Sequence, residues 1–225
     1  MILHSQFYEE KLYPLQDGVM NTISKCGVRF FLTGGTALSR AYYNHRYSDD
    51  LDFFVNNDDD YLAQVSEVFS KLKDDGFFWD PVVDFVSNTT FTSFKVGWSK
   101  SDALLKLDFV NDVAAHFGGV VETNLFYRTD SIRNILSNKL TAIFRFAAKD
   151  VADIREIALH ETVDWGQAIN DARQKEAGIE LTYISDILTG MPQSKFDTIT
   201  WVNKPDWEEF RNDINRIVFD MISGA

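Results

Sequence analysis

One stretch of the chain, residues 30–55, constrains the fold more than any other part of the sequence. It contains an apolar run that stops at Gly34-Gly35, then a helix pattern, and then a segment over residues 50–55 in which polar and apolar residues alternate. Alternation with a period of two predicts a strand with one face on a core. The order of strand, glycine turn, short helix and strand therefore predicts a sheet with a helix packed against it.

The second strand of this stretch carries two aspartates, Asp50 and Asp52, which we expect on the same face. Side chains at positions i and i+2 of a strand point to the same side of the sheet. The apolar residues Leu51 and Phe53 favour a strand packed into the core over the alternative, a solvated acidic turn. Two adjacent carboxylates repel each other unless a proton or a cation lies between them. Oxygen ligands on one face suit Mg²⁺, whose other coordination sites are filled by water and phosphate.

The glycine turn is a candidate phosphate site. Gly34 and Gly35 allow the backbone to approach a ligand closely, and Thr36 is expected to cap the helix that follows. A helix N-terminus presents free amide hydrogens and a partial positive charge, which suit a phosphate. The alternative is an ordinary turn between a strand and a helix. The third glycine of a dinucleotide-binding motif is missing, which excludes a dinucleotide-dependent oxidoreductase.

A third acid, Asp108, lies on a later predicted strand over residues 103–110. Lys106 shares the face of Asp108, whereas Leu107 lies on the opposite face. Asp108 is a candidate to complete a three-carboxylate site that holds two metal ions. The alternative is an edge-strand acid whose partner is Lys106.

The pattern along the chain changes near residue 130. Before it lie a helix pattern over residues 59–73 and strand-like runs over 82–86 and 91–98, and after it one helix pattern follows another. We predict an α+β fold with a small mixed β-sheet core and flanking helices, followed by a helical C-terminal half. The expected domains are residues 1–130 and 131–225.

The helical half contains a lysine, Lys139, inside an apolar stripe. Ile135 and Ile143 lie four residues before and after it and therefore share its helix face. A lysine on an apolar face either extends its ammonium to solvent or meets an anion. Beside a phosphate site the same lysine is a candidate triphosphate ligand. Further along, Asp150 and Asp153 share one helix face. The ordinary interpretation is that Asp150 caps the helix and that Asp153 lies on a solvated face.

Charge and composition limit the partners of the chain. It has 22 Lys and Arg against 34 Asp and Glu, and a net charge of −12, which excludes a general attraction to nucleic acid. The expected partners are small anions masked by a metal, or a protein with a basic surface. The single cysteine, Cys26, excludes an internal disulfide and a multi-cysteine zinc site. No signal-peptide pattern and no membrane-spanning run is present, so we expect a cytoplasmic protein with no membrane partner.

The spacing within residues 30–55 resembles a known signature. Gly34-Gly35, fourteen intervening residues and an Asp-Leu-Asp strand are similar to the signature of the DNA-polymerase-β-like nucleotidyltransferase superfamily. Within it, residues 28–158 resemble the nucleotidyltransferases of the AbiEii/AbiGii toxin family. The matching segments are Arg46-Tyr47-Ser48-Asp49-Asp50-Leu51-Asp52-Phe53, Asn138-Lys139 and Lys149-Asp150-Val151-Ala152-Asp153.

This resemblance implies a metal-dependent nucleotidyltransferase that moves a nucleoside monophosphate from a nucleoside triphosphate to an acceptor hydroxyl and releases pyrophosphate. The acceptor stays open among an RNA 3′ end, a protein and a small molecule, and the implied cofactor is Mg²⁺ or Mn²⁺. The resemblance also implies the toxin of a toxin–antitoxin or abortive-infection pair, with a cognate antitoxin protein as partner. The implied catalytic and metal-binding residues are Asp50, Asp52 and Asp108, and the implied nucleotide-binding residues are Gly34, Gly35, Thr36, Arg40 and Lys139.

The chain departs from the family pattern at two positions. Gly35 stands where the family often has serine, so one hydroxyl contact to phosphate is lost unless Thr36 supplies it. Lys149 stands where arginine is usual, which weakens any bidentate phosphate contact. A non-catalytic partner-binding protein that retains the fold is therefore the alternative to an enzyme.

Overall fold

A computed structural model describes residues 4–224 of the chain, which form two compact units. The second unit takes two short segments from earlier in the chain in addition to its C-terminal part. The first unit comprises the described residues up to Tyr42, Tyr47–Ala114 and Val120–Asp130, and the second comprises Tyr43–Arg46, Ala115–Gly119 and the described residues from Ser131 onward.

The first unit is built on a six-stranded mixed sheet. Its strands are β1 (Phe31–Thr33), β2 (Leu51–Asn56), β3 (Phe77–Phe78), β4 (Val86–Ser87), β5 (Phe91–Trp98) and β6 (Ser101–Asp112). Their order is β1-β2-β6-β5-β3, and β4 pairs with β5 beside this path. The pair β2 and β6 is parallel, whereas the other pairs are antiparallel.

Three helical segments pack with this sheet. The first, α1, runs as α-helix over His4–Phe7, as π-helix over Tyr8–Leu12 and as α-helix over Tyr13–Ile23. The second, α2, begins at the glycine turn as Gly34–Thr36 and continues as a π-helix over Ala37–Tyr43, and the third, α3, spans Tyr61–Asp74. The start of α3 is tied to the sheet, because the Tyr61 hydroxyl donates to the Phe109 carbonyl at 2.9 Å.

The alternation along β2 separates a core face from a site face, as the sequence predicts. Leu51, Phe53 and Val55 are buried, whereas Asp52 and the other alternate residues of β2 are half-buried. The Phe53 ring stacks on that of Phe109 from β6, with ring centroids 5.4 Å apart. Burial of a side chain of this size contributes about 1.5–3 kcal/mol, so the apolar face fixes which way the aspartates point.

The predicted strand over residues 82–86 is wrong except at its last residue. Val82 and Val83 are exposed, and pairing with β5 begins only at Val86. The Asp80 carboxylate accepts hydrogen bonds from the amides of Val82 and Val83 at 2.8 Å and 3.1 Å. These amides are therefore held in a turn and are not available to a strand ladder.

The second unit is helical, which with the mixed sheet confirms the predicted fold class. Its core contains Ile135, Leu140, Ile154 and Ile214, each buried. No helix within residues 4–224 combines the length and the apolar character that crossing a membrane requires. The helices of this unit are α4 (Ile132–Ala142), a 3-10 turn (Ile143–Arg145), α5 (Ala148–His160), α6 (Trp165–Lys175), α7 (Leu181–Thr189), α8 (Gln193–Phe196) and α9 (Trp207–Ser223).

Candidate functional site

The glycine turn at the start of α2 lies directly against the carboxylate of Asp52. In the β1–β2 ladder Thr33 pairs with Asp52, so the turn begins where Asp52 projects from the sheet. Gly34 has φ +71°, and a Cβ on it would overlap the Asp52 carboxylate, with Cγ only 3.0 Å away. The absence of a side chain at Gly34 is therefore what lets backbone and carboxylate meet.

Thr36 fixes the turn to the start of β2. Its buried hydroxyl donates to the backbone carbonyl of Asp50 at 2.5 Å. The prediction that Thr36 caps the helix is wrong, because the cap position is Thr33, the residue before the glycines. The Thr36 hydroxyl hydrogen therefore already has an acceptor, and the nucleotide-binding role of Thr36 stays a prediction.

Asp130 is a buried acid that sequence reasoning missed. Its carboxylate accepts a hydrogen bond of 2.6 Å from the Thr33 hydroxyl, and its backbone carbonyl accepts one of 2.6 Å from the Tyr42 hydroxyl. Asp130 thus holds the residue before the glycine turn and a residue near the end of α2. The sequence carries no signal for this role, because Asp130 lies 97 positions from Thr33.

The parallel pairing of β2 and β6 places Asp52 opposite Asp108. Asp50 precedes β2 by one residue, and both it and Asp52 are half-buried. The Asp108 carboxylate also accepts two hydrogen bonds from residues of the same sheet. Ser93 donates to Oδ1 at 2.6 Å and Lys106 donates to Oδ2 at 2.5 Å. The structure thus brings the predicted acids to one sheet face and adds a lysine and a serine to them.

Lys106 is electrostatically coupled to all three acids. Partial burial lowers the pKa of Lys106, but its bond to Asp108 and the charges of Asp50 and Asp52 outweigh burial and raise that pKa above its ordinary value. The acidic face, formed by Asp50, Asp52 and Asp108, therefore includes the cation of Lys106. The sequence pattern had offered this pairing as an alternative for Asp108.

A divalent metal fits the donor chemistry of Asp50 and Asp52 on this face. Within the described residues, no group of three or more His, Cys, Asp or Glu side chains is placed to hold a metal ion. Asp50 and Asp52 supply hard oxygen ligands beside a backbone turn, a set that suits a cation completed by water and phosphate oxygens. The metal role of Asp108 stays a prediction.

Arg40 of α2 contacts three side chains of α1. Its guanidinium donates to Asp17 at 2.8 Å and to Gln16 at 3.0 Å, and its Cζ lies 4.2 Å from the ring centroid of Tyr13. Any phosphate contact by Arg40 would compete with Asp17. Its nucleotide-binding role stays a prediction.

In the second unit, Lys139 meets two buried acids. Its ammonium pairs with Asp150 at 2.8 Å and with Asp153 at 2.5 Å. The predictions for both acids are wrong: Asp153 is fully buried instead of solvated, and Ala147, not Asp150, is the cap position of α5. The counter-ions of Lys139 therefore come from α5 and not from its own helix, and its triphosphate role stays a prediction.

Two further residues, Arg46 and His45, bind Asp153 in this ion network, while Arg145 binds Asp150 at 2.6 Å. Arg46 donates to both oxygens of Asp153 at 2.7 Å and 2.8 Å, and His45 Nε2 lies 2.8 Å from Asp153 Oδ1. Burial alone raises the pKa of Asp153, but Arg46 and Lys139 outweigh burial and hold that pKa well below its usual range. Arg46 of the Arg-x-Ser-x-Asp segment thus binds Asp153 of the Asp-x-x-Asp segment.

Comparison with known proteins identifies the family of the chain. The family model described as nucleotidyl transferase AbiEii toxin, type IV toxin–antitoxin system, matches residues 20–220. No curated protein sequence matches the chain.

Two solved structures are similar to the chain over most of its length. JHP933 from Helicobacter pylori has a TM-score of 0.66 at 18% identity, over 100% of this chain and 95% of that one. MenT4, a nucleotidyltransferase toxin from Mycobacterium tuberculosis, has a TM-score of 0.65 at 15% identity, over 94% of this chain and 82% of that one. At these identities the structures establish the fold, and the family model establishes the membership. The chain belongs to the AbiEii toxin family of type IV toxin–antitoxin systems and is a nucleotidyltransferase.

Proposed function

We propose that this protein transfers a nucleoside monophosphate from a nucleoside triphosphate to an acceptor hydroxyl, with release of pyrophosphate and dependence on a divalent metal. The observation that carries the proposal is the direct contact between the Gly34 turn and the Asp52 carboxylate. A phosphate on the amides of this turn would lie beside a carboxylate that we propose as a metal ligand. Phosphoryl transfer needs this combination of positioning and charge neutralisation.

Asp50 and Asp52 are the proposed ligands of Mg²⁺ or Mn²⁺. When bound, such an ion neutralises the transferring phosphoryl group and makes a bound hydroxyl more acidic. Asp108 is proposed to face the acceptor, where its carboxylate would take the second ion or receive the proton of the attacking hydroxyl. The bond from Lys106 to Asp108 has to open for either role.

The start of α2 is proposed to bind the triphosphate. Gly34, Gly35 and Thr36 would contribute backbone amides, which carry the partial positive charge of a helix N-terminus. Arg40 and Lys139 are proposed as further phosphate ligands. Each would exchange an aspartate partner for phosphate, a charge-assisted bond of the same kind.

The biological role proposed is that of a cytoplasmic toxin with a cognate antitoxin protein. The acceptor stays open among an RNA 3′ end, a protein hydroxyl and a small molecule. Because the chain carries a net charge of −12, an RNA acceptor requires a local basic surface.

The proposal is tested with purified protein, each of the four labelled nucleoside triphosphates in turn, and total RNA or protein as acceptor. We expect label transfer that requires Mg²⁺ or Mn²⁺ and is abolished by chelation. Asp52→Asn should remove transfer because it deletes one anionic ligand, and its melting temperature without metal should stay equal or rise because carboxylate repulsion falls.

Asp112→Asn is the matched control, since Asp112 ends β6 and lies outside the proposed ligand set. It removes the same charge from the same sheet and should leave transfer unchanged. Metal-independent transfer, or full activity of Asp52→Asn, would contradict the metal role. Absence of both triphosphate binding and transfer would favour the non-catalytic partner-binding alternative.

A further inference from the structure

We propose that Lys106 is a built-in counter-cation that competes with the divalent metal for Asp108, so that metal occupancy at Asp108 requires the lysine ammonium to leave. The inference rests on the proposed function, because it concerns the same carboxylates. It adds a control on metal occupancy that is supplied by the chain itself.

The geometry of Asp108 is the first argument. Its Oδ1 accepts from the Ser93 hydroxyl at 2.6 Å, and its Oδ2 accepts from the Lys106 ammonium at 2.5 Å. Both oxygens of the carboxylate therefore already have a donor. A metal ion at Oδ2 would occupy the position of the ammonium.

The charge around Lys106 is the second argument. Its ammonium is attracted by Asp50 and Asp52 as well as by Asp108, which places it within the field of the whole acidic face. A divalent ion at this face would meet the carboxylates and, a few ångströms away, a like charge. Coulomb repulsion falls only with the inverse of distance and is strong at such separations in a partly buried site.

The freedom of the lysine is the third argument. The Lys106 side chain is 41% exposed, whereas that of Asp108 is 14% exposed. The flexible four-carbon stem of lysine allows the ammonium to turn into solvent without movement of the strand. Exchange of lysine for metal is thus a side-chain event, and Asp108 stays in place to receive the ion.

The test measures Mn²⁺ binding to the full chain without nucleotide, from the electron paramagnetic resonance signal of free Mn²⁺. Lys106→Met should bind Mn²⁺ about 10-fold more tightly or better, because the competing charge is removed. Lys106→Arg keeps the charge and should bind like the parent. Mn²⁺ should also raise the melting temperature of Lys106→Met more than that of the parent, because the unneutralised acids gain more from the ion.

Lys95→Met is the matched control. Lys95 lies opposite Lys106 in the β5–β6 ladder, but its ammonium bonds to Asp84 at 2.7 Å. It removes one positive charge from the neighbouring strand and should leave Mn²⁺ affinity unchanged. If Lys106→Met does not fold, Lys106→Gln removes the charge, keeps a hydrogen-bond donor to Asp108 and carries the same expectation.

Three outcomes would overturn the inference. Equal or weaker Mn²⁺ binding by the charge-removing variants of Lys106 would show that lysine does not compete with metal. Unchanged Mn²⁺ affinity with reduced triphosphate affinity would make Lys106 a phosphate ligand instead. If the parent and all variants fail to bind Mn²⁺, with or without triphosphate, the metal-dependent function fails and the inference falls with it.

Discussion

Gly34 shows how a single residue without a side chain can decide the shape of a site. It satisfies two separate requirements, a backbone angle φ of +71° and close contact with the Asp52 carboxylate. Any L-residue would be strained by the first requirement and would collide because of the second. Alternative residues at this position therefore cost folding free energy and displace Asp52.

The first prediction concerns Gly34→Ala. We expect a loss of about 3 kcal/mol or more in the free energy of unfolding, because strain and overlap both act. Gly76→Ala is the matched control: Gly76 has φ +85°, but no atom lies within 4 Å of a Cβ there. It should lose only about 1–2 kcal/mol, from strain alone. Equal losses in urea denaturation of the two variants would show that the Asp52 contact does not matter.

The sequence predicts the site residues unevenly, and the reason is distance along the chain. The shared face of Asp50 and Asp52 follows from the alternation of the strand, which is a local property. The pairing of Asp130 with Thr33 and of Arg46 with Asp153 joins positions 97 and 107 residues apart, which no local pattern encodes. Lys106 was visible as a neighbour of Asp108, but its coupling to the other acids required the sheet register.

At the scale of elements, α5 combines a hydrophobic surface with two buried carboxylates. Ile154 and Ile157 of this helix are buried, and so are its Asp150 and Asp153. The carboxylates are tolerated in the interior because cations from other segments surround them. The helix is thus positioned by ion pairs as well as by apolar packing.

The second prediction follows for Lys139→Met. Methionine keeps the length of the side chain, but it removes the positive charge that pairs with the buried carboxylates of Asp150 and Asp153. We expect the free energy of unfolding to fall by about 3–5 kcal/mol. Lys149→Met is the control, because Lys149 is exposed on the same helix, and it should change stability by less than about 0.5 kcal/mol. A stable Lys139→Met variant would show that the network tolerates one cation fewer.

The third prediction concerns acid. The pKa of Asp153 in the folded chain lies well below its unfolded value of about 3.9. A depressed folded pKa contributes stability that is fully present above the unfolded value and is lost as the pH falls toward the folded value. The free energy of unfolding should therefore decline below about pH 4, and it should decline less steeply in Asp153→Asn. Parallel declines in urea titrations of the two proteins would contradict this source of acid sensitivity.

The failed strand over residues 82–86 shows the limit of local patterns at the same scale. Its valines have strong strand propensity, but Asp80 captures the amides of Val82 and Val83. The longer runs that became β5 and β6 were predicted correctly, because each is paired along most of its length. Strand propensity has little effect where a nearby side chain accepts hydrogen bonds from the backbone amides that a strand would need.

For the whole molecule, the second unit is not a continuous piece of chain. It includes two borrowed segments, Tyr43–Arg46 and Ala115–Gly119, and both contact its helices. Arg46 binds Asp153, and the amide of Phe117 donates to Asn134 at 3.1 Å. The change of composition near residue 130 gives no sign of these borrowed segments.

The fourth prediction is that a fragment of residues 131–225 will not fold cooperatively by itself. It lacks Arg46 and His45, so Asp153 would keep Lys139 but lose the two partners that the N-terminal part of the chain supplies. A fragment that also carries the two borrowed segments on linkers should recover a cooperative thermal transition by circular dichroism. A cooperative melt of the short fragment at the temperature of the parent would refute the prediction.

The borrowed segments also govern how the protein responds to proteolysis. Within residues 4–224 the chain crosses between the two units five times. A single cut in the exposed stretch near Gly119 leaves each product with parts of both units. We expect the two products to stay associated through the cores that they share, so that a nicked molecule elutes at its native size in gel filtration until a denaturant separates the pieces.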